Sequence, residues 1–320
     1  MKGFVVGLIV LGGVCLVGGA AILAYGMSKG KINDDFVTNN HDFEDDIDNI
    51  SIDVSTADVD IKKAEDGKTK VVCVEKEKVY HTVEVSNKNL KIKVQDDRKW
   101  YQKYLFNFNF KSMSVTVYLP EETYNDMTFD GNTGHIIVDK GFTFANVNIS
   151  NDTGSVKLNS KATGNVEVEV STGGVTLADV DAASVKVKSS TGDVNYKNGE
   201  VTGAIDLQAS TGDFNLENVK AESLKTKSST GHVHLTDVVV NDKMEIKTST
   251  GDVKFERSDA KNIKVETSTG SIKGTLLTSK LFSAKSDTGS VKLPEMSAWD
   301  QNGGTFEAKS DTGSIDIKLA

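Results

Sequence analysis

A chain of 320 residues with 46 acidic against 37 basic side chains carries a formal net charge of −9, which excludes a nucleic-acid binder built on a basic face. Its two cysteines, Cys15 and Cys73, fall on either side of the N-terminal apolar run's end, which excludes a disulfide-stapled scaffold.

Gly3 to Met27 is an uncharged, almost wholly apolar run of 25 residues, long enough to span a bilayer with some tilt. A cleaved signal peptide is the alternative, but the n-region holds only Lys2 and the best small-residue site, Gly18-Gly19-Ala20, sits inside the apolar run. Residues 1–28 are therefore expected to be an uncleaved transmembrane helix with a short cytoplasmic end, making the membrane a partner through residues 3–27. Lys2 on one flank nearly balances Lys29 and Lys31 on the other, so charge orients the span weakly. The expected arrangement is a single-pass cell-membrane protein with its C-terminal domain outside.

Residues 29–47 read as an acidic linker. From Asn33 to Ile61 there are ten Asp or Glu and no Lys or Arg, enough to account for the whole net charge. Such a run predicts a solvated tether, and it lacks the glycine and ligand spacing of a calcium loop.

Residues 48–126 are expected to form an N-terminal β cap. Ile50 to Ile61 reads as a degenerate first repeat with Ala57 at the glycine position. Alternating strands follow at Val71–Val74, Val79–Val85 and Leu90–Val94, the last two joined by a Ser86-Asn87-Lys88-Asn89 hairpin turn. Between this hairpin and the Val115–Pro120 segment lies an aromatic and basic stretch containing Trp100, Tyr101, Tyr104, Phe106, Phe108 and Phe110. Burial in the cap is one reading of it. As a functional feature it is the candidate contact for a partner or for the lipid interface.

Residues 127–320 are governed by a clock. The pairs Thr133-Gly134, Thr153-Gly154, Thr172-Gly173, Thr191-Gly192, Thr211-Gly212, Thr230-Gly231, Thr250-Gly251, Thr269-Gly270, Thr288-Gly289 and Thr312-Gly313 recur at steps of 19 or 20, with one final step of 24. Such a period predicts a β-solenoid in which each repeat is one turn. Seven residues before each glycine the position is always apolar, from Met127 to Phe306, and two residues after it is apolar again, from Ile136 to Ile315. Odd offsets before the glycine and even offsets after it thus form inward columns, so each repeat reads as strand, corner, strand and loop, and the phase flips at the corner. The glycine is expected to supply a positive φ there. The threonine one residue before it falls in phase with the apolar column, so its hydroxyl is expected to bond backbone groups freed at the bend or the threonines of the turns above and below. The outer positions alternate in charge from turn to turn, as in Glu167 and Glu169 against Lys186 and Lys188. The fold class predicted is all-β, a parallel β-solenoid of about ten turns with an N-terminal β cap, preceded by a single transmembrane helix. At the far end, either the last strand leaves an open layer or Pro294–Gly304 folds over it.

No metal-ligand, nucleotide or nucleophile motif is present. His232 and His234 share an outward face near Asp213 and Asp252, but two exposed histidines without a third ligand do not make a metal site. Asp193, Asp213 and Asp252 follow the corner glycine on three turns in a column otherwise holding Ser, Gly and His, a pattern of corner residues. No catalytic, cofactor or metal residue is expected, and the chain is expected not to be an enzyme.

The membrane span, the opening strand Ile50-Ser51-Ile52-Asp53-Val54-Ser55-Thr56-Ala57-Asp58-Val59 and serial repeats such as Ser190-Thr191-Gly192-Asp193-Val194 together resemble the bacterial putative-adhesin β-repeat family, which includes LiaG-like envelope proteins. The resemblance covers about residues 40 to 320. It implies a membrane-associated β-solenoid of the bacterial cell envelope, some members being linked to envelope stress, and it brings no catalytic residues. The expected function is a non-enzymatic, membrane-anchored envelope protein presenting an extracellular rod for binding or scaffolding, with a protein or polysaccharide of the envelope or another surface as its ligand. A self-assembling, bactofilin-like polymer is the alternative, and a polysaccharide-active β-helix enzyme is a third reading.

Overall fold

The corner glycines organise everything that follows. In this computed structural model, which describes residues 36–99, 112–295 and 303–320, the described chain is all-β. The apolar run 3–27, the six aromatic residues between Trp100 and Phe110, and most of the Pro294–Gly304 segment lie outside the described residues.

The N-terminal part holds β1 (Phe36–Phe43), β2 (Asn49–Lys63), β3 (Thr69–Lys76), β4 (Val79–Ser86), β5 (Asn89–Asp96) and β6 (Met113–Leu119). The turns proper begin with β7 (Thr123–Thr133), β8 (Ile136–Val138), β9 (Thr143–Thr153), β10 (Val156–Leu158), β11 (Lys161–Ala162), β12 (Asn165–Thr172), β13 (Val175–Ala178) and β14 (Ser184–Thr191). Four long strands follow, β15 (Val194–Thr211), β16 (Phe214–Thr230), β17 (Val233–Thr250) and β18 (Val253–Thr269). The far end holds β19 (Ile272–Leu276), β20 (Leu281–Thr288), β21 (Val291–Lys292), β22 (Thr305–Thr312) and β23 (Ile315–Leu319).

Each turn has a first wall before the corner glycine and a second wall after it, both paired in parallel with the turns on either side. Val166, for example, lies between Val147 and Val185 on the first wall, and Val156 lies between Ile136 and Val175 on the second. The stretch expected to be a loop is a third, narrower ladder, in which Val201, Ala221, Val240 and Ala260 pair in succession. The alternation of steps of 19 and 20 is absorbed there. Thr202-Gly203 and Asn241-Asp242 each face a single residue on the neighbouring turn, a bulge that leaves both walls in register. Inward residues of all three sides fill one continuous core, in which Val168, Leu177, Val187, Tyr196, Phe214 and Phe255 are fully buried.

The cap continues both walls, in parallel through β2, β5 and β6 and then by antiparallel pairing of β4 with β5 and of β3 with β6. Ile50–Val54 of β2 pairs with Met127–Gly131 of β7 and forms the first repeat read in the sequence, with Ala57 beneath Gly134. On the opposite side of β2 the first wall is extended by β5 and β4, and the second by β6, β3 and β1. The β4–β5 hairpin turn carries positive φ at both Asn87 and Lys88, which matches the right-handed strand twist. One expectation needs correction: Phe36–Phe43, placed in the solvated acidic linker, is a strand paired with β3, and Ile47 after it is buried. The segment's charge did not decide the matter, because the exposed edge of β3 offers backbone partners that a tether would leave to water.

The far end is also reordered. β22 pairs with β18 on one side and with β20 on the other, and β23 lies likewise between β19 and β21. The C-terminal turn is thus inserted beneath the turn that precedes it in sequence, and the outermost layer is Leu281–Lys292 rather than the last strand. The corner amides follow the same order, since Gly270 donates to Thr312 and Gly313 to Thr288, both at 2.9 Å. Residues inward in β22 and β23, such as Phe306 and Ile315, are fully buried, whereas Leu281 and Val291 are exposed. Deleting residues 303–320 is expected to strip hydrogen-exchange protection from Leu281–Lys292, a segment that precedes the deletion. Unchanged protection there would contradict the interleaved order.

Candidate functional site

The corner column was the strongest sequence signal, and its two invariant residues play unequal parts. All ten repeat glycines have φ between +132° and +156°. A Cβ on any of them would stand 1.9–2.3 Å from the carbonyl oxygen of the residue stacked next to it, Ala57 for Gly134 and a repeat glycine for the other nine. Each glycine amide from Gly134 to Gly270, and that of Gly313, donates to the carbonyl of the threonine one layer on, as Gly212 does to Thr230 at 2.9 Å. The threonine side chains behave otherwise than expected. Thr133, Thr153, Thr172, Thr191, Thr211, Thr230, Thr250, Thr269, Thr288 and Thr312 are all exposed, because the inward-outward alternation ends three residues before the glycine. The hydroxyls that bond the corner carbonyls belong to that earlier position. Thr248 donates to Gly231 O and Thr267 to Gly251 O, each at 3.1 Å, Ser310 to Gly270 O at 2.9 Å, and Ser286 to Gly313 O at 2.7 Å.

The residue after each glycine forms a second ladder. Asp193 Oδ1 accepts the backbone N–H of Asp213 at 2.9 Å, Asp213 Oδ1 that of His232 at 2.7 Å, and Asp252 Oδ1 that of Ser271 at 2.7 Å. His232 takes part through Nδ1, which accepts from the Asp252 amide at 3.0 Å, while His234 lies beside it with ring centroids 6.0 Å apart. These side chains hold adjacent turns together. A further corner, six residues past the glycine, went unread in the sequence: Asp179, Asn198, Asn218, Asp237 and Arg257 all have positive φ. Asn218 donates to Asn198 and Asn198 to Asp179 at 3.0 and 3.1 Å, and Arg257 closes on Asp237 with two bonds of 2.8 and 2.6 Å. Asn and Asp tolerate the left-handed region better than other side chains, which is the signal that was available.

On the first wall the charge alternation is realised as lateral pairs. Lys186 bonds Glu167 at 2.6 Å and Lys247 bonds Glu266 at 3.1 Å. The hydrogen bond to Glu167 holds the Lys186 ammonium above its ordinary pKa. Beside these pairs, just before the corner, runs a shallow groove of about 310 Å³ crossing several turns, with Ser171, Ser190, Ser210 and Ser229 along it and Lys188 and Lys227 on its rim. It is a polar, open track.

Two buried polar clusters also escaped the sequence reading. In the cap, Cys73 and Glu75 alternate inward along β3, and His81 points inward from β4, so the extensions of the two walls meet there. Glu75 Oε2 accepts the backbone N–H of His81 at 2.6 Å and lies 2.9 Å from His81 Nδ1, while Asn39 donates to Oε1 at 2.5 Å. Burial, reinforced by the charge of Glu75, pushes the Cys73 thiol up to about 12. Near the far end, the buried Lys280 ammonium contacts Asp259 Oδ1 at 2.7 Å and donates to Thr278 at 3.0 Å and to Gly303 O at 3.2 Å. An inward-phased Glu in an apolar column was the one sequence hint of the first cluster. The second has none, since Lys280 sits outside the repeat pattern.

With this geometry in place, a family model described as Toastrack DUF4097 matches residues 47–222 and 200–320. The chain belongs to that family. The resemblance carried by Ile50–Val59 and the Ser-Thr-Gly-Asp-Val repeats is in line with this membership. Among curated proteins nothing matches. Solved structures similar to this Toastrack chain include a putative adhesin from Bacteroides fragilis, at 16% identity over 89% of this chain and 97% of that one with a TM-score of 0.39. Another is a putative lipid binding protein from Parabacteroides distasonis, at 13% identity over 88% and 97% with a TM-score of 0.45. A putative adhesin from Parabacteroides distasonis matches at 13% identity over 89% and 97% with a TM-score of 0.43.

Proposed function

We propose that this Toastrack protein is a non-enzymatic, membrane-anchored component of a cell envelope, whose rod is displayed outside the membrane for binding or scaffolding. One observation carries the reading. The side chains that a catalytic reading would recruit, Asp193, Asp213, Asp252 and His232, are engaged in bonds between turns, so the polar chemistry of the corner is used to build a long, regular surface. The uncharged run from Gly3 to Met27 supplies the anchor. The contact surface has two parts: the aromatic sequence from Trp100 to Phe110, and the serine-lined groove of the first wall, whose repeated hydroxyls and lysines suit an extended polar polymer of the envelope. Protease treatment of intact cells bearing a C-terminal tag tests the arrangement. Loss of the tag, with a cytosolic control protected, is the expected result. Protection until lysis would overturn it and make a cytoplasmic scaffold the better reading.

A further inference from the structure

The interior of a solenoid cap is a costly place for a carboxylate, a thiol and an imidazole to meet, and here all three meet. Cys73 is 0%, Glu75 1% and His81 3% exposed, and their ligand-capable atoms all lie within 4.8 Å of one another. Donors that surround one four-coordinate ion at about 2.0–2.3 Å are separated by distances of this order once they close on it. His81 Nε2 finds no hydrogen-bond partner among the described residues, so one imidazole nitrogen stands uncommitted in a dry site. The same is true of Nε2 of His41, on the strand hydrogen-bonded to β3. The surroundings are apolar: Val71, Val79 and Val115 are each at most 5% exposed.

We propose that Cys73, Glu75 and His81 form a binding site for one transition-metal dication, with Zn²⁺ the ion that best suits a thiolate, an imidazole and a carboxylate together. Charge supports the choice. A thiolate and a carboxylate neutralise a dication, so the loaded site buries no net charge, whereas the carboxylate by itself is buried against one imidazole, the side-chain amide of Asn39 and the backbone N–H of His81. Binding forms a metal–sulfur bond and releases the thiol proton of Cys73 to solvent, without any change of oxidation state. The placement gives the ion a mechanical role. Cys73 and Glu75 lie on the extension of the second wall and His81 on that of the first, joined by the turn between β3 and β4, so one ion ties both walls together at the cap. The proposal is independent of the display reading, since it concerns the cap interior and no external ligand.

The test is Co²⁺ titration of the purified full-length chain in detergent, followed by displacement with Zn²⁺. The expected result is a thiolate-to-cobalt charge-transfer band that saturates at one equivalent, is kept by Cys15→Ser and is lost in Cys73→Ser. His81→Ala is expected to weaken binding roughly 100-fold or more, since loss of even an outer-shell partner of a metal ligand costs about 10–100-fold. Metal should also raise the melting temperature of the wild-type chain and leave that of Cys73→Ser unchanged. Absence of the band in the wild-type chain, or its persistence in Cys73→Ser, would overturn the site. The wild-type spectrum decides the matter even if a variant fails to fold.

Discussion

Replacing Gly231 with alanine is expected to cost about 3 kcal/mol or more, whereas Thr230→Ala beside it should shift stability by less than about 0.5 kcal/mol. Both residues are equally invariant among the repeats, so the sequence alone would rank them alike. The structure separates them. Gly231 has φ +153° and the Cβ of an alanine there would stand 1.9 Å from Gly212 O, a contact with rigid backbone that no rotamer can relieve. Thr230 gives the corner its backbone carbonyl, which alanine keeps, while its side chain lies in solvent. Urea unfolding of the two variants and the parent measures the difference. Because a solenoid is stabilised turn by turn, Gly231→Ala should also broaden the transition by uncoupling the turns on either side. Equal losses in the two variants would mean that the threonine hydroxyl does structural work that the exposed column does not reveal.

The second large effect is expected at the far end. Asp259→Ala leaves the Lys280 ammonium buried with, among the described residues, only Thr278 and the Gly303 carbonyl, and breaking one side of such a pair costs about 3–5 kcal/mol. Replacing both partners, Asp259→Ala with Lys280→Met, should recover most of that loss, because no charge is then left uncompensated. Thermal unfolding of the single and double variants, with hydrogen exchange to locate the change, provides the measurement. The loss should concentrate in β19 to β23. The pair and its neighbours sit where the chain leaves β19 and where it returns at Gly303 to enter β22, and so they pin the crossing that places the last turn beneath the preceding one. If the double variant is as unstable as the single one, the pair contributes packing and not charge compensation.

Much of the wall was legible in the chain. The columns running from Met127 to Phe306 and from Ile136 to Ile315 are inward because strand side chains alternate, and the glycine at the phase flip had to be a corner. Even the polar Thr226, five residues before Gly231, stays in the buried column at 1% exposed, since its neighbours fix the register. Alternation failed one step from the corner. It assigned Thr230 and its equivalents to the interior, yet the backbone has begun to bend by then, and the hydroxyl that serves the corner carbonyl comes from Thr248, Thr267 or Ser310 two residues earlier in the turn. The third ladder and its left-handed Asp or Asn were read as a loop because its buried column alternates Val with Ala, as in Val201, Ala221, Val240 and Ala260, and Gly199 and Ser258 interrupt the apolar column beside it, a weaker signal than either wall carries. The candidate contact at Trp100 to Phe110 lies outside the described residues.

The turn follows from local pattern: its length, its inward columns, its glycine corner and the pairing of opposite charges between neighbours all depend on residues within one or two repeats of each other. Tertiary structure alone decided the order in which turns stack at the far end, the strand made from an acidic segment, and the meeting of Cys73 and Glu75 with His81. The physical reason is the similarity of the repeats. Phe282 and Phe306 fill equivalent positions, so local pattern gives either turn the same claim to lie on β18, and the choice falls to contacts such as Lys280 with Asp259 that the repeat does not encode.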